Sequence, residues 1–299
     1  MSNYPIWDCH VHLFPEEYYK NWEKFAALDS YFALLTKKAK SPHATEQGWA
    51  TVAESISIAD EAGVAGLVLQ GWYWNDSGLI EEHNDFMADA ARSNHERIKA
   101  FACVNPAMGA KAITEMERCA KLGFSGFGEL GAGANNYTFE DSCFLDVLEC
   151  AQSLGLPVCI HCSDPVGHDY NGRDKTPLPP LVAAAAKFPD LKIILAHLGG
   201  GIVFYMLNPR IAASCQNLYF DTAANPLLYQ IKSIQAACVA AGVDKILFGS
   251  DFPLLLYPKL TREIDMTAFV CNVIHNTALA EDELEKIMSA NILNLLGKG

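Results

Sequence analysis

Two histidines near the start of the chain, His10 and His12, have the type and spacing of a metal-binding pair. They lie in or directly after the apolar stretch Ile6–Val11, which is typical of a short strand, and residues two apart on a strand point to the same face. The two imidazoles can therefore converge on one metal ion, and imidazole is a favoured ligand of zinc and similar metals. A single His-x-His pair also arises by chance among packed or exposed histidines, so the interpretation depends on further ligands elsewhere in the chain.

The elements that must position this pair repeat along the chain. Eight apolar segments of strand character occur, nearly all separated by an amphipathic helical segment, and the repeat of roughly 30 residues is the size of one β–α–β unit. Continuous apolar runs are typical of parallel strands buried on both faces. We therefore predict a TIM (β/α)8 barrel, a single α/β domain over residues 1–299, with functional side chains at the carboxyl ends of its strands. The predicted strands are residues 6–11, 64–70, 98–104, 124–129, 157–161, 192–197, 218–222 and 245–251.

The alternative architecture is a doubly wound sheet. A nucleotide-binding sheet of that kind carries a glycine-rich phosphate fingerprint after its first strand, where this chain has His-Val-His. The glycines at 199–201 follow the sixth predicted strand and lack the full G-x-G-x-x-G pattern, so they are weak support for a nucleotide.

The segment after the first strand is unusual in length and composition. Residues 13–45 are far longer than a typical βα loop of about 2–6 residues, and they are dense in aromatic side chains. An aromatic insertion beside a metal site predicts a lid or a pocket wall, and a docked helical hairpin that covers one end of the barrel is the alternative. Residues 281–296 are predicted to form a C-terminal helix.

Composition and charge restrict the class of protein. Hydrophobic residues make up 51% and charged residues 19% of the chain, which supplies a large core and excludes disorder. The net charge of -13 disfavours nucleic acid and anionic membranes, because phosphate contacts require clustered Lys and Arg. No apolar run approaches the roughly 18 residues that span a bilayer, and no secretory signal is visible. We therefore expect the ten cysteines to be reduced and the protein to be cytoplasmic.

Four further residues with metal-binding side chains end the fourth, fifth, sixth and eighth predicted strands: Glu129, His161, His197 and Asp251. Each has an ordinary interpretation by itself, as a helix cap for a carboxylate or as a packed core histidine. With the first-strand pair, however, six such residues lie on the rim where barrel enzymes place their catalytic groups. Their joint placement predicts a metal site.

The ordered motifs resemble the metal-dependent amidohydrolase superfamily, specifically the branch that includes aminocarboxymuconate-semialdehyde decarboxylase and aromatic-acid decarboxylases. The resemblance spans the whole chain and is carried by DCHVH at 8–12, CIH at 159–161, LAHLGG at 195–200 and LFGSDFP at 247–253. It implies one divalent ion, with zinc as the expected metal, and it places His197 near the metal-bound water or the substrate. The metal ligands that it implies are His10, His12, His161 and Asp251.

The fourth strand departs from the decarboxylase pattern. Its sequence, Gly128-Glu129-Leu130-Gly131, is similar to the Gly-Glu motif of TatD-type hydrolases, in which a carboxylate contributes to metal binding. Glu129 is therefore a fifth candidate ligand, or a bridge to a second ion. This departure moves the functional prediction towards hydrolysis.

The predicted function is a metal-dependent hydrolase of an amide, ester or lactone bond in a small molecule. A divalent ion lowers the pKa of bound water towards about 7, Asp251 would accept a proton from that water as general base, and His197 would stabilise the developing oxyanion. Two alternatives stay open: a non-oxidative decarboxylase or hydratase of a small carboxylic acid that uses the same site, and a barrel that binds a metal or metabolite without catalysis.

Candidate substrate contacts follow three of the strands. Trp72 comes after the second strand, His168 and Arg173 lie in the polar loop after the fifth, and Asn225 follows the seventh. An aromatic wall and an arginine predict a planar or apolar substrate with a carboxylate, because the guanidinium group pairs with carboxylates in a fixed fork. Arg173 as a solvated loop charge is an equal alternative. The predicted partner is a small-molecule substrate, and a homodimer is one possible assembly.

Overall fold

The computed structural model describes residues 3–36, 46–166, 169–170 and 173–297. Eight parallel strands form one sheet in which each strand is hydrogen-bonded to its neighbour in sequence. The sequential order excludes the doubly wound alternative, because that architecture reverses strand order near its middle. The strands are β1 (Ile6–Val11), β2 (Val64–Leu69), β3 (Ile98–Ala102), β4 (Gly126–Leu130), β5 (Val158–Ile160), β6 (Ile193–Leu195), β7 (Leu218–Asp221) and β8 (Ile246–Leu247).

The sheet closes on itself through the residues that follow β8. The backbone N–H of Cys9 donates to the carbonyl of Phe248 at 2.9 Å, and that of His12 donates to the carbonyl of Phe252 at 2.7 Å. Between them, the N–H of Asp251 donates to the carbonyl of His10 at 2.9 Å. These bonds complete the ring, so the predicted single-domain TIM barrel is confirmed.

Helices occupy the connections between strands. They are α1 (Glu16–Lys20), α2 (Trp22–Leu28), α3 (Phe32–Thr36), α4 (Val52–Glu61), α5 (Ser77–Ser93), α6 (Ala110–Leu122), α7 (Ala132–Asn135), α8 (Ser142–Leu154), α9 (Leu178–Lys187), α10 (Ala196–Gly199), α11 (Ile202–Tyr205), α12 (Pro209–Ser214), α13 (Asn225–Leu228), α14 (Lys232–Ala241), α15 (Thr267–Asn276), α16 (Glu281–Glu285) and α17 (Asn291–Leu296). Short 3-10 turns cover Pro106–Met108 and Val243–Lys245. The predicted C-terminal helix is divided, because the five-residue π segment Lys286–Ala290 separates α16 from α17.

The barrel interior is filled by inward side chains and blocked at one end by α17. Trp7, Phe101 and Leu247 belong to one buried cluster that also contains Ile292 and Leu295 from this helix. The nearby Asn291 amide donates to the carbonyls of Val243 and Ile246, where β8 begins, at 2.8 Å each. The C-terminal helix therefore covers the amino-terminal end of the strands and leaves the carboxyl end for the candidate site.

The aromatic insertion is docked onto the carboxyl end of the barrel. Helices α1 to α3 pack through aromatic contacts, with ring centroids 4.1 Å apart for Tyr18 and Phe25, and 5.2 Å apart for Phe32 and Trp74. Residues 37–45, the rest of the predicted insertion, lie outside the described residues. A lid function for the insertion stays a prediction.

Among the described residues, no helix has both the length and the apolar character required to cross a membrane. A cytoplasmic location stays a prediction. All ten cysteines are free thiols.

Candidate metal centre

His10 and His12 converge at the carboxyl end of β1. Their Nε2 atoms are 3.1 Å apart, and both side chains are buried. The other ring nitrogen of each histidine is hydrogen-bonded to a protein oxygen. Nδ1 of His10 lies 2.8 Å from Oδ2 of Asp221, and Nδ1 of His12 lies 3.2 Å from the carbonyl oxygen of Gln70. Because carboxylate and carbonyl oxygens only accept hydrogen bonds, these contacts place the proton of each neutral ring on Nδ1 and leave its Nε2 lone pair for a metal.

Two carboxylates complete a group of four donor atoms. Oε2 of Glu129 lies 3.7 Å and 3.6 Å from Nε2 of His10 and His12, and Oδ1 of Asp251 lies 3.8 Å and 3.5 Å from the same two atoms. Donors bonded to one ion at about 2.0–2.2 Å are separated from one another by about 3.0–3.6 Å. The observed separations of 3.1 to 3.8 Å lie in or just above that range, and the mixture of imidazole and carboxylate is one that divalent cations bind.

Glu129 also belongs to a second group of donors. Its other oxygen, Oε1, lies 3.0 Å from Nδ1 of His161 and 3.5 Å from Nε2 of His197. The rings of these two histidines are 5.0 Å apart between centroids. His10, His12 and Glu129 have the spacing of a potential metal-binding cluster, as do Glu129, His161 and His197, so Glu129 is common to both.

His197 and Asp251 reach the centre through an unusual backbone conformation. His197 has φ 57° and Asp251 has φ 71°, in the left-handed region that non-glycine residues adopt only when the surrounding structure imposes it. The backbone N–H of His197 donates to Oδ1 of Asp221 at 2.8 Å, and its Nδ1 donates to the carbonyl of Ala223 at 3.0 Å. As a result, β6 and β8 are shorter than predicted, because the chain leaves each strand to direct these side chains to the centre.

Asp8 fixes the segment before Asp251. Oδ1 of this fully buried carboxylate accepts the backbone N–H of Ser250 at 2.9 Å and that of His10 at 3.1 Å, and its Oδ2 accepts the Ser250 hydroxyl. Asp8 therefore ties β1 to the exit of β8. That tie sets the position of Asp251 relative to the two first-strand histidines.

Gly128 lets β4 approach β5 closely beside Glu129. A Cβ at this position would lie 2.4 Å from the carbonyl oxygen of Cys159, and the residue has φ 133°. Only glycine fits this close contact. The Gly-Glu sequence thus has a steric cause as well as a chemical one.

The centre is buried and electrostatically coupled. The side chain of Glu129 is 1% exposed and that of Asp251 is 10% exposed. Burial raises the pKa of Glu129, but the nearby His161 and His10 outweigh it and hold that pKa well below the ordinary value. Burial lowers the pKa of His197, and its hydrogen bond to Glu129 and the charge of Asp251 outweigh that effect and raise the pKa to about 9. A buried anion that attracts protons to its neighbours is also a good site for a divalent cation.

The predicted substrate contacts are distributed unevenly around the centre. Trp72 is buried and meets His12 edge to face, with ring centroids 5.9 Å apart. Arg173 donates to the carbonyl of Asp164 at 3.0 Å and pairs with Asp169, within its own loop. The buried Asn225 donates to Ser233 of α14 at 2.8 Å. Of these residues, Trp72 lies against a predicted ligand, and His168 lies outside the described residues.

Tyr73 and Asp221 also lie at the centre, although neither was predicted as a catalytic or metal-binding residue. The Tyr73 hydroxyl donates to Oε2 of Glu129 and lies 3.2 Å from Nδ1 of His161. Asp221 contacts both His10 and His197. Asp221 is the last residue of β7, so it lies at the carboxyl end of a strand as the predicted ligands do. That position is the signal in the sequence that could have identified it.

A ring of eight parallel strands with clustered imidazole and carboxylate donors at their carboxyl ends defines the class of TIM barrels with a metal-binding centre. Within that class, the chain belongs to the amidohydrolase family, whose sequence pattern matches residues 7–298.

Several relatives of known activity are decarboxylases. The chain is 26% identical over 254 residues to a gamma-resorcylate decarboxylase of Polaromonas sp., covering 71% of this chain and 74% of that protein. It is 27% identical over 252 residues to the 2-amino-3-carboxymuconate-6-semialdehyde decarboxylase of Dictyostelium discoideum, covering 73% and 66%. The fold matches a 5-carboxyvanillate decarboxylase of Novosphingobium aromaticivorans with a TM-score of 0.75 at 16% identity, covering 98% and 96% of the two chains. That structure contains manganese and 4-hydroxy-3-methoxy-5-nitrobenzoic acid.

These relatives overturn the prediction of a hydrolase, and they favour the decarboxylase alternative. The prediction was wrong because it treated Glu129 as a mark of hydrolysis. A carboxylate beside metal-binding histidines stabilises a cation whichever bond the enzyme breaks, so its presence does not define the reaction. The centre fits a divalent metal, but zinc as its identity is not supported.

Proposed function

We propose that this protein is a metal-dependent, non-oxidative decarboxylase of a small planar carboxylic acid. The observation that carries the proposal is the relationship to decarboxylases together with a donor group that fits a divalent cation. The sequence similarity supports the reaction class, and the arrangement of Asp251 and His197 supports the way in which it would run.

We propose that one ion is held by His10, His12 and Asp251, with Glu129 and His161 as further ligands. A bound divalent ion would supply positive charge that orients a substrate carboxylate and an adjacent oxygen and stabilises negative charge as the carbon–carbon bond breaks. Manganese is proposed as the metal, supported by the solved relative that contains it and by the carboxylates among the donors, which suit Mn2+.

Asp251 is the proposed proton donor. Its Oδ1 faces the first-strand histidines and its Oδ2 lies 4.0 Å from Nδ1 of His197. The bond between the substrate carbon and its carboxylate breaks, the electron pair stays on the carbon, and carbon dioxide leaves. Asp251 would then give that carbon a proton carried on Oδ2, the oxygen that is not directed at His10 and His12, and a proton from solvent restores the acid, so atoms and charge balance.

An aromatic wall supports a planar substrate. Trp72 contacts Tyr73 and Tyr31 with ring centroids 4.5 Å and 5.8 Å apart, and Tyr31 belongs to the docked insertion. Flat rings of this kind favour a conjugated or aromatic acid through stacked or edge-to-face contacts. Arg173 and Asn225 stay predictions as substrate contacts.

The test is a decarboxylation assay on protein stripped of metal and reloaded with Mn2+ or Zn2+. The substrates are 2,6-dihydroxybenzoate and 5-carboxyvanillate, and the reactions are carried out in deuterium oxide. We expect the parent to release carbon dioxide and to leave one deuteron on the carbon that carried the carboxylate. The rate of release should be higher with Mn2+ than with Zn2+, and at least 100-fold lower in Asp251→Asn than in the parent. No carbon dioxide from these or other aromatic and conjugated acids, with either metal, would overturn the proposal.

A further inference from the structure

Asp221 lies behind the proposed metal centre and contacts two of its residues without facing the site. The side chain is fully buried at the end of β7. Oδ2 lies 2.8 Å from Nδ1 of His10, and Oδ1 accepts the backbone N–H groups of His197 at 2.8 Å and Ala223 at 3.0 Å. Three donors therefore converge on one carboxylate.

The contact with His10 decides which ring nitrogen is free. A carboxylate accepts hydrogen bonds and donates none, so the His10 proton that meets Asp221 must be on Nδ1. The lone pair of a neutral ring is then on Nε2, the atom that lies 3.1 Å from Nε2 of His12 within the donor group. In the other tautomer, Nε2 would carry a proton and bind no metal.

The contact with His197 holds a conformation that the residue does not favour by itself. His197 and the following Leu198 both have left-handed φ values, 57° and 55°. The hydrogen bond from the His197 N–H to Asp221 fixes the start of this turn. The same carboxylate therefore controls a side-chain ring on β1 and a backbone turn after β6.

We propose that Asp221 is the positioning residue of the metal centre: it sets the His10 tautomer that binds the ion and fixes the turn that carries His197. The inference rests on the metal centre of the proposed function, but it concerns metal binding alone. Metal titration therefore tests it even if no acid is decarboxylated.

Asp221→Asn is the discriminating variant. Two backbone N–H groups face Oδ1 and one ring nitrogen faces Oδ2, so the amide oxygen is expected to keep the two backbone donors. The amide nitrogen then faces His10 as a donor, and Nδ1 must accept. The ring proton moves to Nε2, while the volume and the backbone contacts of residue 221 are preserved.

The experiment titrates metal-free protein with Mn2+ and measures affinity by calorimetry, with the melting temperature recorded in parallel. We expect Asp221→Asn to bind Mn2+ roughly 10- to 100-fold more weakly than the parent, with little change in the melting temperature of the metal-free protein. The matched control is Asp29→Asn, another buried carboxylate that accepts two backbone N–H groups, those of Tyr31 and Phe32 in the docked insertion. We expect the control to bind Mn2+ within about threefold of the parent.

A second measurement is made on the parent protein and therefore does not depend on whether a variant folds. In the Zn2+-loaded parent, labelled with 15N in its histidines, the His10 ring should carry its proton on Nδ1. Parent-like Mn2+ affinity in Asp221→Asn, equal losses in both variants, or a His10 proton on Nε2 would each overturn the proposal.

Discussion

Oε1 of Glu129 lies 3.0 Å from Nδ1 of His161, across the two neighbouring strands β4 and β5. Oε2 of the same carboxylate faces His10 and His12 instead. Glu129 therefore divides its two oxygens between two groups of histidines. This position makes it the residue whose substitution most directly reports how many ions the centre holds.

Substituting Glu129 by Gln should weaken metal binding while preserving shape. We expect one tightly bound ion per chain in the parent and at least a tenfold lower affinity in Glu129→Gln, because a neutral amide is a poorer ligand than a carboxylate. Calorimetry and elemental analysis give affinity and count. Unchanged affinity would exclude Glu129 as a ligand. A parent count of two ions that falls to one in His161→Ala would make Glu129 a bridge.

Metal affinity should rise with pH. Burial lowers the pKa of His10, but the charges of Asp221 and Glu129 outweigh it and hold the pKa well above its ordinary value, so the metal-free ring keeps a proton that an ion must displace. We expect Mn2+ to bind more tightly at pH 8 than at pH 6, with protons released on binding. Titrations in two buffers of different ionisation enthalpy measure that release. Binding that is independent of pH would contradict the expectation.

Removing the metal should lower the stability of the folded protein. A ligand that binds only the folded state at 100 times its dissociation constant adds about 2.7 kcal/mol to the free energy of unfolding. We therefore expect a chelator to lower the melting temperature, and added Mn2+ to restore it. The control is Asp251→Asn, which removes a proposed ligand and should show a smaller difference between the two conditions.

Substituting Gly128 by Ala should destabilise the barrel beside the site. The new Cβ would approach the Cys159 carbonyl oxygen to 2.4 Å, so backbone must move, at a cost of about 2–4 kcal/mol. Gly155→Ala is the matched control, because Gly155 also has a positive φ, 67°, but no atom within 4 Å of the added Cβ. Its expected cost is about 1–2 kcal/mol. Urea unfolding of both variants measures the difference, and equal losses would contradict the steric explanation.

His83 should make stability depend on pH below neutrality. Its ring accepts the Trp74 indole N–H at 2.8 Å and donates to the Leu13 carbonyl at 2.8 Å, next to the first-strand pair. Burial lowers its pKa from 6.5 to about 4. As the pH falls, the unfolded chain therefore binds a proton at His83 before the folded protein does. The stability that the neutral ring contributes to the folded state is complete above pH 6.5 and is lost as the pH falls from 6.5 to about 4.

The expected loss over that range is about 3 kcal/mol. Urea unfolding at several pH values should show a shallower dependence in His83→Gln than in the parent. His95→Gln, at an exposed position, is the control and should keep the parent's dependence. The same dependence in all three proteins would show that His83 is not responsible.

The sequence by itself determined the barrel and the rim of the candidate site. Apolar strand segments and amphipathic helical segments recur along the chain, and these are local properties that any stretch of sequence carries with it. Once eight parallel strands are counted, residues that end them must meet at one end of the ring. His10, His12 and Glu129 could therefore be predicted to meet before any coordinates were known.

Only the tertiary structure decided how those residues are held and how they divide among ligand groups. Asp221 reaches His10 across 211 positions of sequence, and Asp8 reaches Ser250 across 242. Such contacts depend on the closure of the ring and on the left-handed turn at His197, neither of which leaves a periodic signal in the chain. Side-chain type indicates that a residue can bind a metal, whereas the tautomer and direction of each ring follow from hydrogen bonds made only after the strands have assembled.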